Sequence, residues 1–209
     1  MLASISPVGE ASRGQRWTVT ATAYLVASAV GGLVVFGLAG ALGWTARRGL
    51  AVAGVAVPDT AVLALLLGAA LLALLADAGR LPVRLPAWQR QVDERWLSSY
   101  RGWVYGAGFG FQLGGAVFTR IPTAATHLLL LFAVASASPV VGAATGTTFG
   151  LVRALPLLAT ARLHEPSRLQ GYHRWLDARA HLAHRVTTAT VGVAAVALAV
   201  GIVAQRGGS

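Results

Sequence analysis

Apolar residues in this chain gather into long continuous runs and do not alternate with polar ones. The runs lie at about 17–44, 60–78, 103–136, 140–161 and 186–204. Each reaches the roughly 18–20 residues a helix needs to cross a hydrocarbon core. A transmembrane β-barrel would require short segments of alternating character, which these are not. The pattern predicts an all-α, polytopic helical membrane protein, organised as a single integral membrane domain over residues 1–209. Trp17 and Trp44 stand at the two ends of the first run, where interfacial anchoring favours aromatic rings.

Between the runs the chain turns polar. Residues 1–16 are small and polar, and Pro58-Asp59-Thr60 opens the second run, with Asp59 or Thr60 as its cap. Asp59 and Asp77, at the two ends of that run, read as capping or snorkelling residues. In the 80–100 loop, Pro82 and Pro86 bar a helix at first. Trp88 to Tyr100 then reads as an amphipathic surface helix, with Asp93 and Glu94 on its wet face. The 162–185 loop carries a second surface helix, Leu169 to His184. Both loops are expected on the cytoplasmic side.

The stretch from Trp103 to Ser136 is too long for one crossing and is broken by Thr119-Arg120-Ile121-Pro122. Gly102, Gly106, Gly110 and Gly114 recur every fourth residue and form one ridge, along which another helix can approach closely. Gln112, Thr119, Thr123 and Thr126 form a polar stripe on another face. Arginine placement bears on how the stretch crosses. If it makes one broken crossing, the chain has five, with 12 arginines on one side and 3 on the other. If it makes two, there are six and the arginines divide 8 and 8. The positive-inside bias favours five net crossings with a long broken third helix and a cytoplasmic N-terminus; six helices is the alternative. A bacterial-type cytoplasmic membrane is the expected location.

Composition narrows the chemistry. The formal charge is +10, yet all 17 basic residues are arginines, clustered in the loops between apolar runs. That is a topological signal with affinity for the lipid bilayer, and no nucleic-acid partner is expected. There is no cysteine, so disulfide exchange, thiolate metal ligation and cysteine nucleophiles are excluded. The N-terminal segment lacks a basic region before a short apolar core, so no cleaved signal peptide is expected. Nucleotide loops, zincin motifs and dinucleotide fingerprints are missing, and no acid–base pair can be placed. The protein is therefore expected not to be an enzyme and to need no cofactor.

Two constellations remain. Gln112, Thr119, Arg120, Thr123, Thr126 and His127, with Arg153 and the threonines at 145–148, supply hydrogen-bond donors and positive charge within apolar surroundings, which suits a small anion. The other reading is that Arg120 and Arg153 snorkel or bond carbonyls freed at the kinks, with His127 in packing. His173, Asp177, His181 and His184 fall within one arc of a helix, and pairs such as Asp177/His181 or His181/His184 have the spacing to share a metal ion. Alternatively they belong to a surface helix near anionic lipid. At the level of function, a small-anion transporter stands beside a non-transporting scaffold or assembly subunit. The scaffold would pack its glycine ridge against a membrane-protein partner or a second copy. A divalent metal exporter is a further alternative.

Residues 103–204 resemble the DsbD/CcdA transmembrane family of the LysE-type superfamily. Gly108-Phe109-Gly110-Phe111 is similar to the family's helix entry. Gly115-Ala116-Val117-Phe118-Thr119-Arg120-Ile121-Pro122 is similar to its Pro-Cys-to-Pro element. Phe149-Gly150-Leu151-Val152-Arg153-Ala154-Leu155-Pro156 is similar to the following helix. Ala116 stands where that family has its redox cysteine, so transmembrane thiol relay cannot occur here. What the resemblance implies is the scaffold: kinked helices around a midplane cavity of the kind used in the superfamily for small-solute or ion efflux, sulfite-type anions included. The histidine-rich helix is faintly similar to the superfamily's nickel and cobalt exporters, whose acidic intramembrane motifs are missing.

Overall fold

The computed structural model describes residues 5–80, 95–116, 123–162 and 166–207. Among them there are helices and turns and no strand. The helices are α1 (Pro7–Ser12), α2 (Trp17–Val52), α3 (Asp59–Asp77), α4 (Trp96–Ser99), α5 (Gly102–Gly114), α6 (Ala125–Ala135), α7 (Pro139–Ala159) and α8 (Pro166–Gly207). Among the described residues, four stretches are long and apolar enough to cross a membrane: Trp17–Val52, Asp59–Asp77, Pro139–Ala159 and Gln170–Gln205. This is an all-α, polytopic helical membrane protein.

Several boundaries differ from those the sequence suggests. The first membrane helix continues past Trp44 through Arg47 and Arg48 to Val52, and stops where Gly54 takes a left-handed conformation (φ +78°). Neither Asp59 nor Thr60 caps α3. Pro58 holds the N-cap position, and Asp59, inside the first turn, accepts from Arg47 at 2.6 Å. The surface helix expected over Leu169–His184 and the last span at 186–204 are one helix of 42 residues. No breaker separates them, so helix propagation carries straight through. Of the expected surface helix at 88–100, only α4 and its flanks are described; residues 88–94 lie outside the described residues.

The helices sort into two compact units. One is built from Met1–Val35, Ala87–Arg120 and Ala143–Ala180; the other from Phe36–Pro86, Ile121–Gly142 and His181–Ser209. In the first, α5 lies parallel to α2 in a fixed register. Cβ atoms built on Gly106, Gly110 and Gly114 would strike the carbonyls of Thr20, Tyr24 and Ser28. Each step of four on one helix matches a step of four on the other. Helix α7 runs the opposite way, so that Gly150 meets Ser28 while Gly32 meets Gly146. Ser28 is thus pressed by two glycines, and its hydroxyl donates to the Gly150 carbonyl at 2.8 Å. Backbones this close exchange dispersion contacts that larger side chains would hold apart. Below this junction Ile5, Ala21, Tyr24, Tyr105, Phe109, Ala154 and Leu157 form the buried core.

In the second unit the same spacing continues: Gly40 meets Ser138, Gly142 meets Phe36 and Gly43 meets Val134. Its core consists of Ala70, Ala73, Ala124, Val191 and Ala195. Helices α3 and α6 pack side by side, and the Ala124 amide donates to the Asp77 carboxylate at 2.9 Å.

Candidate functional site

The apolar stretch that the sequence marks as broken is two short helices, α5 of 13 residues and α6 of 11. At about 1.5 Å per residue neither spans a hydrocarbon core of about 30 Å. Helix α5 stops by turning left-handed at Ala116, which is buried with φ +59°. For a residue with a Cβ that conformation costs about 1–2 kcal/mol. Ala116→Gly is accordingly expected to raise unfolding stability by about 1 kcal/mol, read as a shift in thermal unfolding in detergent.

Ending a helix inside an apolar environment frees backbone groups that must find partners. At the end of α5, the Leu113 carbonyl accepts from the Ala116 amide at 3.3 Å and, as a second donor, from the Arg153 guanidinium at 3.1 Å; that guanidinium also lies over the Phe149 ring, 5.6 Å from its centroid. A cation at a helix C-terminus is favourably placed against the dipole. Arg153, a residue the sequence singles out for anion binding, therefore serves the freed backbone in this state. Gln112, one residue before Leu113, lines an open apolar groove with Ala23, Ala27, Val30, Trp96 and Gly108.

At the start of α6, Asp77 holds the Ala124 amide, and Asp77 is the last residue of α3. An anionic group at a helix N-terminus satisfies free amides and the dipole together. Thr123 immediately precedes this point, Thr126 is buried, and His127 is half-buried one turn in. Thr119 and Arg120 lie outside the described residues. Thr147 and Thr148 turn their hydroxyls back onto the Ala143 and Ala144 carbonyls of their own helix.

The four glycines of the ridge all face inward. Gly106, Gly110 and Gly114 meet α2, and Gly102 meets Thr20, Glu10 and Gln15. His181 and His184 are exposed on α8, the helix that also contains His173 and Asp177. Among the described residues no three His, Asp or Glu groups converge as a metal site.

Among the described residues, the most densely bonded polar cluster lies in the segment that reads as merely small and polar. Ser6 caps α1 by accepting from the Gly9 amide at 3.1 Å, with Pro7 in the first turn. That turn buries Glu10 completely. Its carboxylate accepts from the Tyr105 hydroxyl (2.6 and 2.7 Å), the Thr20 hydroxyl (2.6 Å) and Arg13 (2.7 Å). Gln15 accepts from the Gly102 amide at 3.1 Å, so the same segment caps α5. Burial works against the charge on Arg13, but its bonds to Glu10 and Tyr105 outweigh this and hold its pKa above the ordinary guanidinium value. One sequence signal pointed here: a tyrosine inside a glycine-rich apolar helix requires a partner for its hydroxyl. No protein-family model, curated protein or solved structure matches the chain.

Proposed function

We propose that the protein is a multi-pass membrane transporter for a small anion, carried past the interruption of its third crossing, with the N-terminus cytoplasmic. The observation that carries this reading is the way the two cut ends are held. Each is met by a charged side chain from another helix, Arg153 at Leu113 and Asp77 at Ala124. Such partners are exchangeable. An anion that takes both N–H edges of Arg153 replaces one neutral carbonyl with a charge-assisted pair. Gln112, Thr119, Arg120, Thr123 and His127 are the residues proposed to orient it. Arginine, not carboxylate, dominates this set, which selects for negative charge. The reading keeps the resemblance of residues 103–204 to the DsbD/CcdA-like scaffold without its thiol chemistry. The alternative, an assembly scaffold, loses its proposed docking ridge, because the four glycines are covered by this chain's own residues.

The test uses single cysteines, introduced into a chain that has none. A membrane-impermeant thiol reagent is expected to label positions 112, 119 and 123 but not the buried position 116. In proteoliposomes, Arg153→Ala is expected to lower anion flux at least tenfold, the equivalent of about 1.4 kcal/mol or more of lost binding, while the purified variant stays folded. A dry, unlabelled stripe together with unchanged flux would exclude transport along this path.

A further inference from the structure

Helix α8 carries a ladder on one face of its polar half. Arg168, Tyr172, Trp175 and Arg179 are offset by 4, 7 and 11 residues from the first, which at 3.6 residues per turn keeps them within about 60° of arc. The rungs touch. The Tyr172 and Trp175 rings stack with centroids 6.0 Å apart, and the Arg179 guanidinium sits 4.3 Å from the Trp175 ring centroid. Trp175 is 49% exposed, and Arg179 is exposed as well. By the same count Val186, Val193 and Val200 share this face, at 66%, 70% and 62% exposure. The side of α8 that presents bare valine along the apolar run therefore presents stacked aromatic rings and arginine before it.

From this we infer that the Tyr172–Trp175–Arg179 ladder is a binding site for the phosphate headgroup of an anionic lipid whose chains lie along the valines. Charge and geometry agree. Stacking on Trp175 fixes the plane of the guanidinium and leaves its N–H edge for a phosphate, which it can grip at two points. Asp177 is the only acidic residue between 166 and 185, so the segment is strongly basic. Arg179 lies two turns, about 10 Å, before Val186, at headgroup height. Aromatic rings with one wet edge favour that layer. A basic helix merely attracted to negative surfaces would need no such order, and Arg174 and Arg185, on another face, supply the comparison.

The full-length protein in a neutral detergent, titrated with phosphatidylglycerol or phosphatidylcholine and read by native mass spectrometry, tests this. The wild type is expected to retain phosphatidylglycerol preferentially. Arg168→Gln with Arg179→Gln is expected to lower that preference roughly fivefold per arginine removed. Arg174→Gln with Arg185→Gln, which removes equal charge, is expected to leave most of it, and Trp175→Leu to weaken it with no charge change. Equal losses from both arginine pairs would reduce the effect to diffuse attraction and overturn the site. So would no loss from either pair. Displacement of the lipid by millimolar glycerol phosphate would overturn it as well, because the site would then take a free phosphate and not a lipid.

Discussion

Gly114→Leu is expected to break the packing of α5 on α2 and to cost more than about 3 kcal/mol, above the usual range for an overpacked core. The first added atom would overlap the Ser28 carbonyl oxygen, and that oxygen is part of a helix backbone that cannot step aside. Ser28 is pinned from the other side, where Gly150 presses the same carbonyl and accepts from the Ser28 hydroxyl. Relief requires α5 to move away as a body, which also separates Gly110 from Tyr24 and Gly106 from Thr20. Thermal unfolding in detergent, followed by size-exclusion fluorescence, is the measurement. Gly68→Leu is the control, since a Cβ there meets nothing within 4 Å, and it is expected to change stability by no more than about 0.5 kcal/mol. If Gly114→Leu were as mild as the control, the close register of α2 and α5 would be wrong. If it left the fold intact and abolished only association with another protein, the ridge would be serving a partner after all.

Glu10→Ala is the second large effect, expected to cost about 3 kcal/mol. It removes the acceptor for two hydroxyls, on Tyr105 and Thr20, and the partner of Arg13. No water replaces it easily, because Glu10 and Thr20 are fully buried and Tyr105 is closed off beside them. Glu10→Gln retains an oxygen for one hydroxyl but gives Arg13 no charge, so an intermediate loss is expected. Tyr105→Phe removes a single bond and should cost about 1–2 kcal/mol. A double-mutant cycle between positions 10 and 105 should then return a coupling of about 1 kcal/mol or more. Hydrogen exchange locates the consequence: faster exchange is expected in residues 7–16 and at the start of α5, whose Gly102 amide depends on Gln15. Exchange confined to the first few residues, with α5 unchanged, would show that the segment does not hold α5.

What could be read from the chain and what could not divide along the range of the forces involved. Hydropathy and spacing are local, and they placed the membrane helices, the interruption near Pro122 and the glycine ridge. Helix propagation is local too, yet two ends were misjudged, because nothing at Trp44 or Arg185 stops a helix and polar residues alone do not. The bonding of Arg153 was among the readings the sequence left open, since a guanidinium suits an anion and a freed carbonyl equally. Only the arrival of Leu113 beside it assigns one of those partners. Asp77 and Glu10 show the same limit more sharply. Asp77 reads as the end of its own helix and serves the beginning of another. Glu10 sits in a segment with no apolar periodicity and is nonetheless completely buried.

By itself, then, the sequence determined the class of the protein, the approximate places of its long apolar helices and the four-residue glycine spacing that makes close packing available. Tertiary structure alone decided which helix each ridge meets, that α5 runs with α2 and α7 against it, and which charges meet the end of α5 and the start of α6. The reason is physical. A four-residue spacing states that a backbone can be approached, but the partner is chosen by contacts between residues as far apart as Ser28 and Gly150, 122 positions along the chain, and no local pattern records that distance.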